Sequence, residues 1–550
     1  MPHGPPQGRT GPTVRDLGAT FRWGWTACVV LATTLPYFIA YAWTPSGYTY
    51  TWILAPYPED AISYLAWTRQ ALNGHLLFGL KYTAAPHAAF LLQPFFLLAG
   101  WLCRASGLSP GIVLLLLKAL GVVVFFQVFF GFLSFLRLPR RAAVAAALLA
   151  GVASGFGAPL LALFGKATLI QNSSLKSADL WLVDLNTYWS LLWNPLFPYC
   201  LALMLATVRC TWEGTETRAP AQWWLGGACT GMLALIHPYH VPFLFLFFAV
   251  FTVMRLRWES WRAWVPFCVV AGPFALFTAA QEKFNPLAKL HGITGIEPSP
   301  PLIQILLGCG VLVPLAALAV LRQHDGMRRE GPLVLWVGLA VSLAYVPLFW
   351  FQRKFFFGLQ MPLCVLAALG LHGLFRRSAW LWLVIALTTA TPIYVTYDKL
   401  METMQSPPQA PYYIADDLMD ALRYLKDHTR PSEIVFASQE VSLLIPALAG
   451  NTVLWGHWAM SVDSEAQIAR LRPLFDRQSG YDGEARARGF WEDTRVRYIL
   501  MDPWVRASFG EPLPDWLLRT SRTVYQEGNY AILQYTPADS RADHSGAPAT

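Results

Sequence analysis

The sequence has little charge for its length. Only 13% of its 550 residues are Asp, Glu, Lys or Arg, and 55% are hydrophobic, whereas soluble domains are about one quarter charged. This number of charged side chains is too small to cover the surface of soluble domains of this total size. The composition therefore excludes an ordinary soluble protein and indicates a polytopic membrane protein. The formal net charge of +8 is too dilute for a nucleic-acid-binding chain, and we expect no nucleic acid partner.

The sequence also lacks any cysteine pattern. Its eight cysteines occur singly in apolar runs, and none follows Cys364. Without a CxxC pair or a Cys-rich segment there is no zinc knuckle and no disulfide framework, so we interpret the cysteines as packing residues. A Gly-rich phosphate loop is absent as well. The sequence assigns no cofactor with certainty and leaves a requirement for a divalent cation open.

Long apolar runs are what the sequence has instead. The first, at residues 25–43, lacks a small-residue cleavage site and follows a polar, Pro/Gly-rich stretch, so we expect a retained span after a cytoplasmic tail at 1–23. The fold class is an α-helical polytopic membrane bundle, with a transmembrane module at 24–397. About 11 spans are predicted, at residues 25–43, 110–136, 141–164, 188–208, 222–236, 241–254, 262–281, 301–321, 332–351, 355–375 and 379–396.

The composition changes after Tyr397. Residues 398–550 have an ordinary charge density, and helix-like stretches alternate there with strand-like ones. This alternation predicts one soluble α/β domain. The helix-like stretches are 416–427 and 464–475, and the strand-like ones are 433–437, 497–501 and 530–534.

The basic residues predict the topology. Residues 88–103 are apolar enough for a span, or for a helix that lies along the membrane surface. If they do not cross, the arginine clusters near residues 15, 140, 218, 257, 328 and 376 share one side, which the positive-inside rule makes cytoplasmic. We therefore expect a multi-pass cell-membrane protein with a cytoplasmic N-terminus, a first outer loop at 43–109 and the domain 398–550 outside.

The first outer loop contains an acidic pair. Pro58 starts a predicted helix, and Glu59 and Asp60 lie in its first turn, where the helix dipole stabilises negative charge. In one interpretation both acids only stabilise the helix end. In the other, an amphipathic helix on the bilayer surface presents one carboxylate to a reaction centre. We favour Asp60, because Tyr64 follows one turn later on the same face, and Glu59 remains the alternative.

This arrangement resembles the GT-C superfamily of polyprenyl-phosphate-sugar-dependent membrane glycosyltransferases. The matching features are the acid after the first span, a surface helix at 58–74 and a second helix at 88–103, within a resemblance that covers about residues 24–400. The resemblance implies two juxtamembrane helices, a multi-span bundle and an acidic catalytic residue in the first outer loop. A second acidic motif is not fixed, because Asp179 and Asp184 both qualify.

The chemistry follows from the outer location of the polar residues. Nucleotide sugars are absent there, so a glycosyl donor must arrive on a lipid phosphate. Transfer then requires a carboxylate to take the acceptor's proton and cations to stabilise the departing phosphate. The predicted function is transfer of a hexosyl or pentosyl group from a polyprenyl-phosphate donor, with Asp60 as the base. The expected partners are that donor, the lipid bilayer and a glycan, lipid or protein acceptor.

Outward cations are candidates for binding the donor phosphate. Gln352, Arg353 and Lys354 lie in a very short loop between two spans, where an outward Arg-Lys pair runs against the positive-inside bias. The two cations either snorkel to lipid headgroups or bind the donor phosphate, which Arg can hold with two parallel hydrogen bonds. Lys118 is a further candidate, because a lysine eight residues after Pro110 can snorkel outward.

Two short apolar runs predict a cavity. The runs 222–236 and 241–254 reach only about 21–23 Å, less than the ~30 Å hydrocarbon core. The connecting His237, Tyr239 and His240 therefore lie at membrane depth, as a buried turn, as a phosphate or sugar contact, or, least favoured without a third ligand, as a metal site. The other candidate substrate contacts are Tyr64, Lys176, Asp179 and Asp184. Further polar residues of the outer loops are Lys166, Asn172, Asn186, Glu282, His291 and Glu297.

Two other classes of protein fit a bundle of this kind. A transporter or a lipid or polysaccharide flippase would be expected to show internal repeats and ionisable residues near the bilayer midplane. The sequence shows no repeat, and its polar groups gather at one face. A non-catalytic envelope-assembly protein is the second alternative, and nothing in the sequence excludes it. Consumption of a polyprenyl-phosphate sugar by the purified protein separates the enzyme from both.

Overall fold

The computed structural model describes residues 17–54, 56–171, 175–284, 287, 297–322, 327–374, 379–462, 464–475 and 482–536. The chain divides into two compact units. The helical unit comprises Met1–Pro36, Leu115–Ala280 and Gly295–Leu400, and the sheet unit comprises Tyr37–Leu114, Gln281–Thr294 and Met401–Thr550. The first outer loop therefore belongs to the same compact unit as the C-terminal residues.

The helical unit consists of apolar helices, and each predicted span contains helix. Among the described residues, six helices are long and apolar enough to cross a membrane, or seven if one bent pair counts as a span. The predicted number of about 11 spans stays a prediction. The α-helices that lie in this unit or enter it are Ala19–Ala42, Pro110–Phe135, Arg140–Val152, Gly157–Gln171, Thr187–Trp193, Phe197–Thr217, Pro220–Ile236, Val241–Leu256, Trp261–Phe284, Leu302–Cys309, Leu312–Arg322, Met327–Tyr345, Gln360–Leu374 and Ala379–Thr403.

The predicted span at 301–321 is not one straight helix. It is broken into Leu302–Cys309 and Leu312–Arg322, which meet at an angle of 85°. Gly310 adopts a φ of 54°, and a Cβ at this position would lie 2.9 Å from the Cα of Gly155. The break is therefore a point where two backbones meet too closely for any side chain, a feature that hydropathy does not register.

The sheet unit contains two β-sheets. β1 (Tyr48–Tyr50) pairs with β2 (Tyr413–Ala415) in an antiparallel ribbon. The larger sheet has the order β4-β3-β5-β7-β6, with β3 parallel to β4 and β5, and β7 antiparallel to β5 and β6. Its strands are β3 (Ile434–Phe436), β4 (Thr452–Val453), β5 (Val496–Met501), β6 (Ser521–Glu527) and β7 (Tyr530–Tyr535). β3, β5 and β7 lie at the three strand-like runs of the sequence.

Helices of the C-terminal residues pack around the larger sheet. A core of apolar side chains, which includes Phe436, Trp491 and Ile499, fills the space between sheet and helices. Helices alternate with strands here because buried strands of β-branched and aromatic residues need helices to cover them. The helices are Asp416–His428, Gln439–Leu448, Ser464–Leu471, Asp482–Thr494, Pro503–Phe509 and Asp515–Thr520.

The first outer loop is bound to these C-terminal elements by hydrogen bonds. Val453 N in β4 donates to the carbonyl of Lys81 at 2.8 Å. Arg69 Nε donates to the carbonyl of Ala447 at the end of the Gln439–Leu448 helix. The loop is thus an integral part of the sheet unit, which the hydropathy pattern did not predict.

Two helices of the loop pack closely on each other. The first loop helix is Pro58–Leu72 and the second loop helix is Pro94–Ser106. The second has 13 residues, about 20 Å of helix, and is too short to cross a hydrocarbon core of ~30 Å. At their contact, a Cβ on Gly100 would lie only 2.4 Å from the Cβ of Ala71. Glycine at 100 is therefore needed for this packing.

We predict that Gly100→Ala destabilises the protein. The added methyl group overpacks the contact between the two loop helices, which typically costs about 1–3 kcal/mol. Thermal unfolding should show a lower midpoint than the wild type. Gly489→Ala is the matched control, because Gly489 lies in the Asp482–Thr494 helix with no atom within 4 Å of an added Cβ. Equal midpoints for the two variants would contradict the prediction.

Candidate active site

The acidic pair lies at the start of the first loop helix, as the sequence predicted. Pro58 occupies the first turn, and Glu59 and Asp60 follow it. The side chain of Asp60 is 52% exposed, whereas Glu59 is partly buried. Ser63 Oγ donates to the carbonyl of Asp60 at 2.7 Å, which ties the residue's backbone into the first turn. Asp60 therefore presents its carboxylate to solvent from a fixed position.

Tyr64 lies one turn after Asp60, but it is engaged in packing. Its ring stacks on Phe96 of the second loop helix, with centroids 5.2 Å apart. Trp67 completes this aromatic group at 5.9 Å from Tyr64. The packing fixes the first loop helix on the second and so fixes the direction of its first turn.

His457 is the residue near Asp60 that the sequence did not assign. Its Nε2 lies 3.8 Å from Asp60 Oδ1, and its side chain is only 1% exposed. The residue belongs to the Trp455, Gly456, His457, Trp458 segment after β4. A histidine between two tryptophans in a Gly-containing turn was the available signal, but nothing in the sequence connects it to residue 60.

Four charged side chains from three separate segments form an ion-pair cluster in the helical unit. Arg353 Nη2 donates to Glu297 Oε1 at 2.7 Å. Lys354 Nζ lies 3.4 Å from Glu297 Oε2 and 3.5 Å from Asp184 Oδ2. Two carboxylates thus face two cations, and the cluster carries no net charge when both acids are ionised. The predicted Arg353 and Lys354 therefore occur together, but with acidic partners that the sequence did not predict.

The two carboxylates of this cluster differ in their electrostatics. Burial raises the pKa of Asp184, against the opposing effect of Lys354 and Arg353. Burial also acts to raise the pKa of Glu297, but Lys354 and Arg353 outweigh it and hold this pKa below its ordinary value. Glu297 forms ion pairs with both Arg353 and Lys354, whereas the more deeply buried Asp184 pairs with Lys354 at 3.5 Å. Glu297 is accordingly the firmly ionised member.

The His237, Tyr239 and His240 turn borders this cluster. His237 Nδ1 and His240 Nε2 lie 2.8 Å apart and share one hydrogen bond, in which one ring donates and the other accepts. His240 also stacks on Phe357 with centroids 4.6 Å apart, and Lys354 Nζ lies 5.9 Å from the Tyr239 ring centre. Both histidines are buried. Of the three interpretations, the buried turn agrees with this geometry, since the facing nitrogens bond each other.

Lys118 does not snorkel outward. Its side chain is buried, and Nζ donates to the carbonyls of Thr33 at 2.6 Å and Leu192 at 2.8 Å. Leu192 lies in the last turn of the Thr187–Trp193 helix, where carbonyls lack intrahelical partners. The ammonium group thus binds a helix C-terminus inside the bundle, a role that suits a lysine there.

Asp179 is also buried and used internally. It accepts hydrogen bonds from Ser154 Oγ at 3.0 Å, from the Gly155 and Gly157 N–H groups at 2.9 and 3.2 Å, and from Ser177 Oγ. Burial raises its pKa, and the bonds from Ser177, Ser154 and Gly157 oppose that rise. Asp179 satisfies the backbone between the Arg140–Val152 and Gly157–Gln171 helices, so it is not placed as a substrate contact.

The remaining candidates have modest contacts. Lys176 is exposed, with Nζ 5.2 Å from the ring centre of Trp181. Gln352 Nε2 donates to the carbonyl of Val346 at 3.4 Å. Asn172 and His291 lie outside the described residues. In the part of the chain that the structure describes, no group of three or more His, Cys, Asp or Glu side chains is arranged to hold a metal ion.

Three solved structures of glycosyltransferases are similar to this chain. ArnT from Cupriavidus metallidurans bound to undecaprenyl phosphate matches 95% of this chain and 99% of its own, at 12% identity and a TM-score of 0.50. The arabinofuranosyltransferase AftD from Mycobacteria matches 94% of this chain and 42% of its own, at 14% identity and a TM-score of 0.52. The apo oligosaccharyltransferase of Archaeoglobus fulgidus matches 88% of this chain and 70% of its own, at 13% identity and a TM-score of 0.47.

No family model and no curated protein sequence matches the chain. ArnT and AftD are members of the GT-C superfamily of polyprenyl-phosphate-dependent glycosyltransferases. The likeness to them covers nearly the whole chain at low identity, so it is a likeness of fold. The GT-C fold predicted from the first outer loop is thereby confirmed.

Proposed function

We propose that this protein is a membrane glycosyltransferase that moves a sugar from a polyprenyl-phosphate donor to an acceptor on the outer face of the membrane. The observation that carries the proposal is the carboxylate of Asp60, which is 52% exposed at the start of a helix in the first outer loop. The GT-C fold supports it, because ArnT, which has that fold, is bound to undecaprenyl phosphate.

In the proposed reaction the acceptor hydroxyl attacks the anomeric carbon of the donor sugar. The bond between that carbon and the phosphate oxygen breaks, and the lipid phosphate leaves with the bonding electrons. Asp60 takes the proton of the attacking hydroxyl as a general base. Attack from the face opposite the leaving phosphate inverts the anomeric configuration. Glu59, which is partly buried, is the less suited of the two acids.

We assign the donor phosphate to Arg353, with Gln352 as a neutral neighbour. Arg353 is 25% exposed, and a guanidinium has five donors, so it can bind a phosphate edge while it keeps Glu297. Lys354 is less exposed, at 17%, and contacts two carboxylates, so its proposed role is to hold the segments of the cluster together. The His237, Tyr239, His240 turn and Lys176 are secondary candidates for sugar or phosphate contact.

The proposed topology places the first outer loop and residues 398–550 outside. We expect a membrane-impermeant thiol reagent to label cysteines introduced near Gly107 and near Ser540 in intact cells. Ser540 lies outside the described residues. The exposed Cys28 and Cys268 are replaced beforehand to remove background labelling. Protection of either introduced cysteine, with labelling after lysis, would overturn this topology.

We predict that Asp60→Asn lowers turnover by at least ~10²-fold, the low end of what a positioned base contributes. Donor binding should stay at the wild-type level, because the amide has the same shape as the carboxylate. The measurement is the single-turnover rate with a polyprenyl-phosphate sugar in detergent. Glu59→Gln is the matched control and should lower the turnover rate much less. The reverse order of severity would assign the base to Glu59, and normal rates in both variants would remove this mechanism.

We predict that Arg353→Ala weakens donor binding by about 10- to 100-fold, the effect of losing a charge-assisted hydrogen bond worth ~1.5–3 kcal/mol. Turnover should fall too, since the phosphate gains charge as the glycosidic bond breaks. Arg353→Lys should recover only part of the loss, because an ammonium cannot form two parallel bonds.

Two controls accompany this series. Glu297→Gln reports what loss of the ion pairs of Glu297 with Arg353 and Lys354 does to thermal stability. Arg262→Ala removes an arginine elsewhere that is 60% exposed. Wild-type donor binding in Arg353→Ala, at full thermal stability, would place the phosphate site elsewhere.

A further inference from the structure

The segment around His457 is built to hold one side chain in a fixed direction. Ser461 Oγ accepts hydrogen bonds from the N–H groups of Gly456 and His457, at 2.9 and 3.1 Å. A Cβ at Gly456 would lie 3.0 Å from the carbonyl carbon of Ser442 in the Gln439–Leu448 helix. Glycine thus lets the segment pass directly over that helix, and the Ser461 hydroxyl fixes the backbone of the next residue.

The hydrogen bonds of the imidazole fix its tautomer. The backbone N–H of Ala459 donates to His457 Nδ1 at 3.1 Å, so Nδ1 is an acceptor. In a neutral imidazole the proton must then be on Nε2. The ring is held between Tyr82, with centroids 5.5 Å apart, and Trp458, at 6.1 Å. The Nε2–H bond is therefore oriented by packing and not by solvent.

That N–H group faces Asp60. The separation of 3.8 Å between Nε2 and Asp60 Oδ1 is longer than a direct hydrogen bond, and it is an electrostatic contact. Catalytic hydrogen bonds are often long in the free enzyme and shorten when substrate binds. The His457 side chain is buried, at 1% exposure, whereas the Asp60 side chain is 52% exposed. A rigid donor thus faces a carboxylate that could otherwise rotate in water.

We propose that His457 is a positioning residue for Asp60, a role that rests on the proposed glycosyl transfer. Its Nε2–H engages Oδ1, so Oδ2 is left in a defined direction to receive the acceptor's proton. His457 itself neither gains nor loses a proton in the step. The C-terminal residues thereby complete the active site of the first outer loop, which gives them a function beyond packing.

The test uses substitutions that separate the N–H group from the volume of the ring. His457→Gln keeps an N–H donor near the position of Nε2, and His457→Phe keeps the ring but removes the donor. We expect His457→Phe to lower kcat by about 10- to 100-fold, as loss of a supporting hydrogen bond to a functional group typically does, with the donor KM unchanged. His457→Gln should restore kcat to within about threefold of the wild type.

His87 provides the matched control for a purely structural histidine. It lies in the same loop, where Nε2 accepts from Leu80 N at 2.9 Å and Nδ1 bonds the carbonyl of Ala85. We expect His87→Phe to lower the unfolding midpoint and leave the kcat of the folded protein unchanged. Equal kcat values for His457→Phe and His457→Gln, or a fall in kcat that follows thermal stability in both, would overturn the proposal.

A double-mutant cycle tests the contact independently of turnover. Asp60→Asn and His457→Phe are combined, and thermal unfolding of the two single variants and the double variant is measured in the full-length protein. Non-additive shifts are expected, because the residues interact. Additive shifts would overturn the contact even in an active enzyme. Coupled shifts in a protein that consumes no donor would instead overturn the proposed glycosyl transfer, and with it the positioning role.

Discussion

Backbone groups inside an apolar bundle must find partners within the protein, because lipid offers none. One interruption lies between the Arg140–Val152 and Gly157–Gln171 helices, and buried polar side chains satisfy backbone groups that it releases. Asp179 accepts the N–H groups of Gly155 and Gly157, and Gln360 donates to the carbonyl of Ala153. Lys118 donates to the carbonyl of Leu192 at the end of the Thr187–Trp193 helix and to the carbonyl of Thr33 inside the Ala19–Ala42 helix. The chain can therefore change direction inside the bundle without leaving these backbone groups unsatisfied.

The predictions that were right depend on local sequence signals, and those that failed depend on contacts between distant parts of the chain. Each apolar run predicted as a span contains helix in the described residues, and the strand-like runs coincide with β3, β5 and β7, because both signals are local. The apolar helix Gln439–Leu448 was not predicted. The break at Gly310 was missed, since it depends on a close approach to Gly155, which lies between the Arg140–Val152 and Gly157–Gln171 helices. Asp179 and Lys118 were interpreted as residues that contact the substrate. A polar residue in an apolar segment can have such a role, or it can form hydrogen bonds to otherwise unpaired backbone groups. Only burial and hydrogen-bond partners separate these two cases.

The site was predictable in its residue types and not in its pairings. The position of Asp60 in a first helical turn follows from Pro58 and the amphipathic run after it. The ion pair between Arg353 and Glu297 depends on the tertiary structure, since the two residues are far apart in the chain. His457 is the extreme case, because its direction depends on Ser461 and Ala459 and its target lies in the first loop.

The short ribbon formed by β1 and β2 has a consequence for biosynthesis. Thr51 Oγ1 donates to the carbonyl of Pro411, a residue 360 positions later in the chain. β1, which ends at Tyr50, pairs with β2, which begins at Tyr413. A ribosome that has made the first loop has not yet made its pairing partner, so the loop must wait through the insertion of all the later apolar helices. During that interval the unpaired edge of β1 is exposed to wrong partners. Completion of the sheet unit, which contains the candidate base Asp60, is thus among the last events in the maturation of the chain.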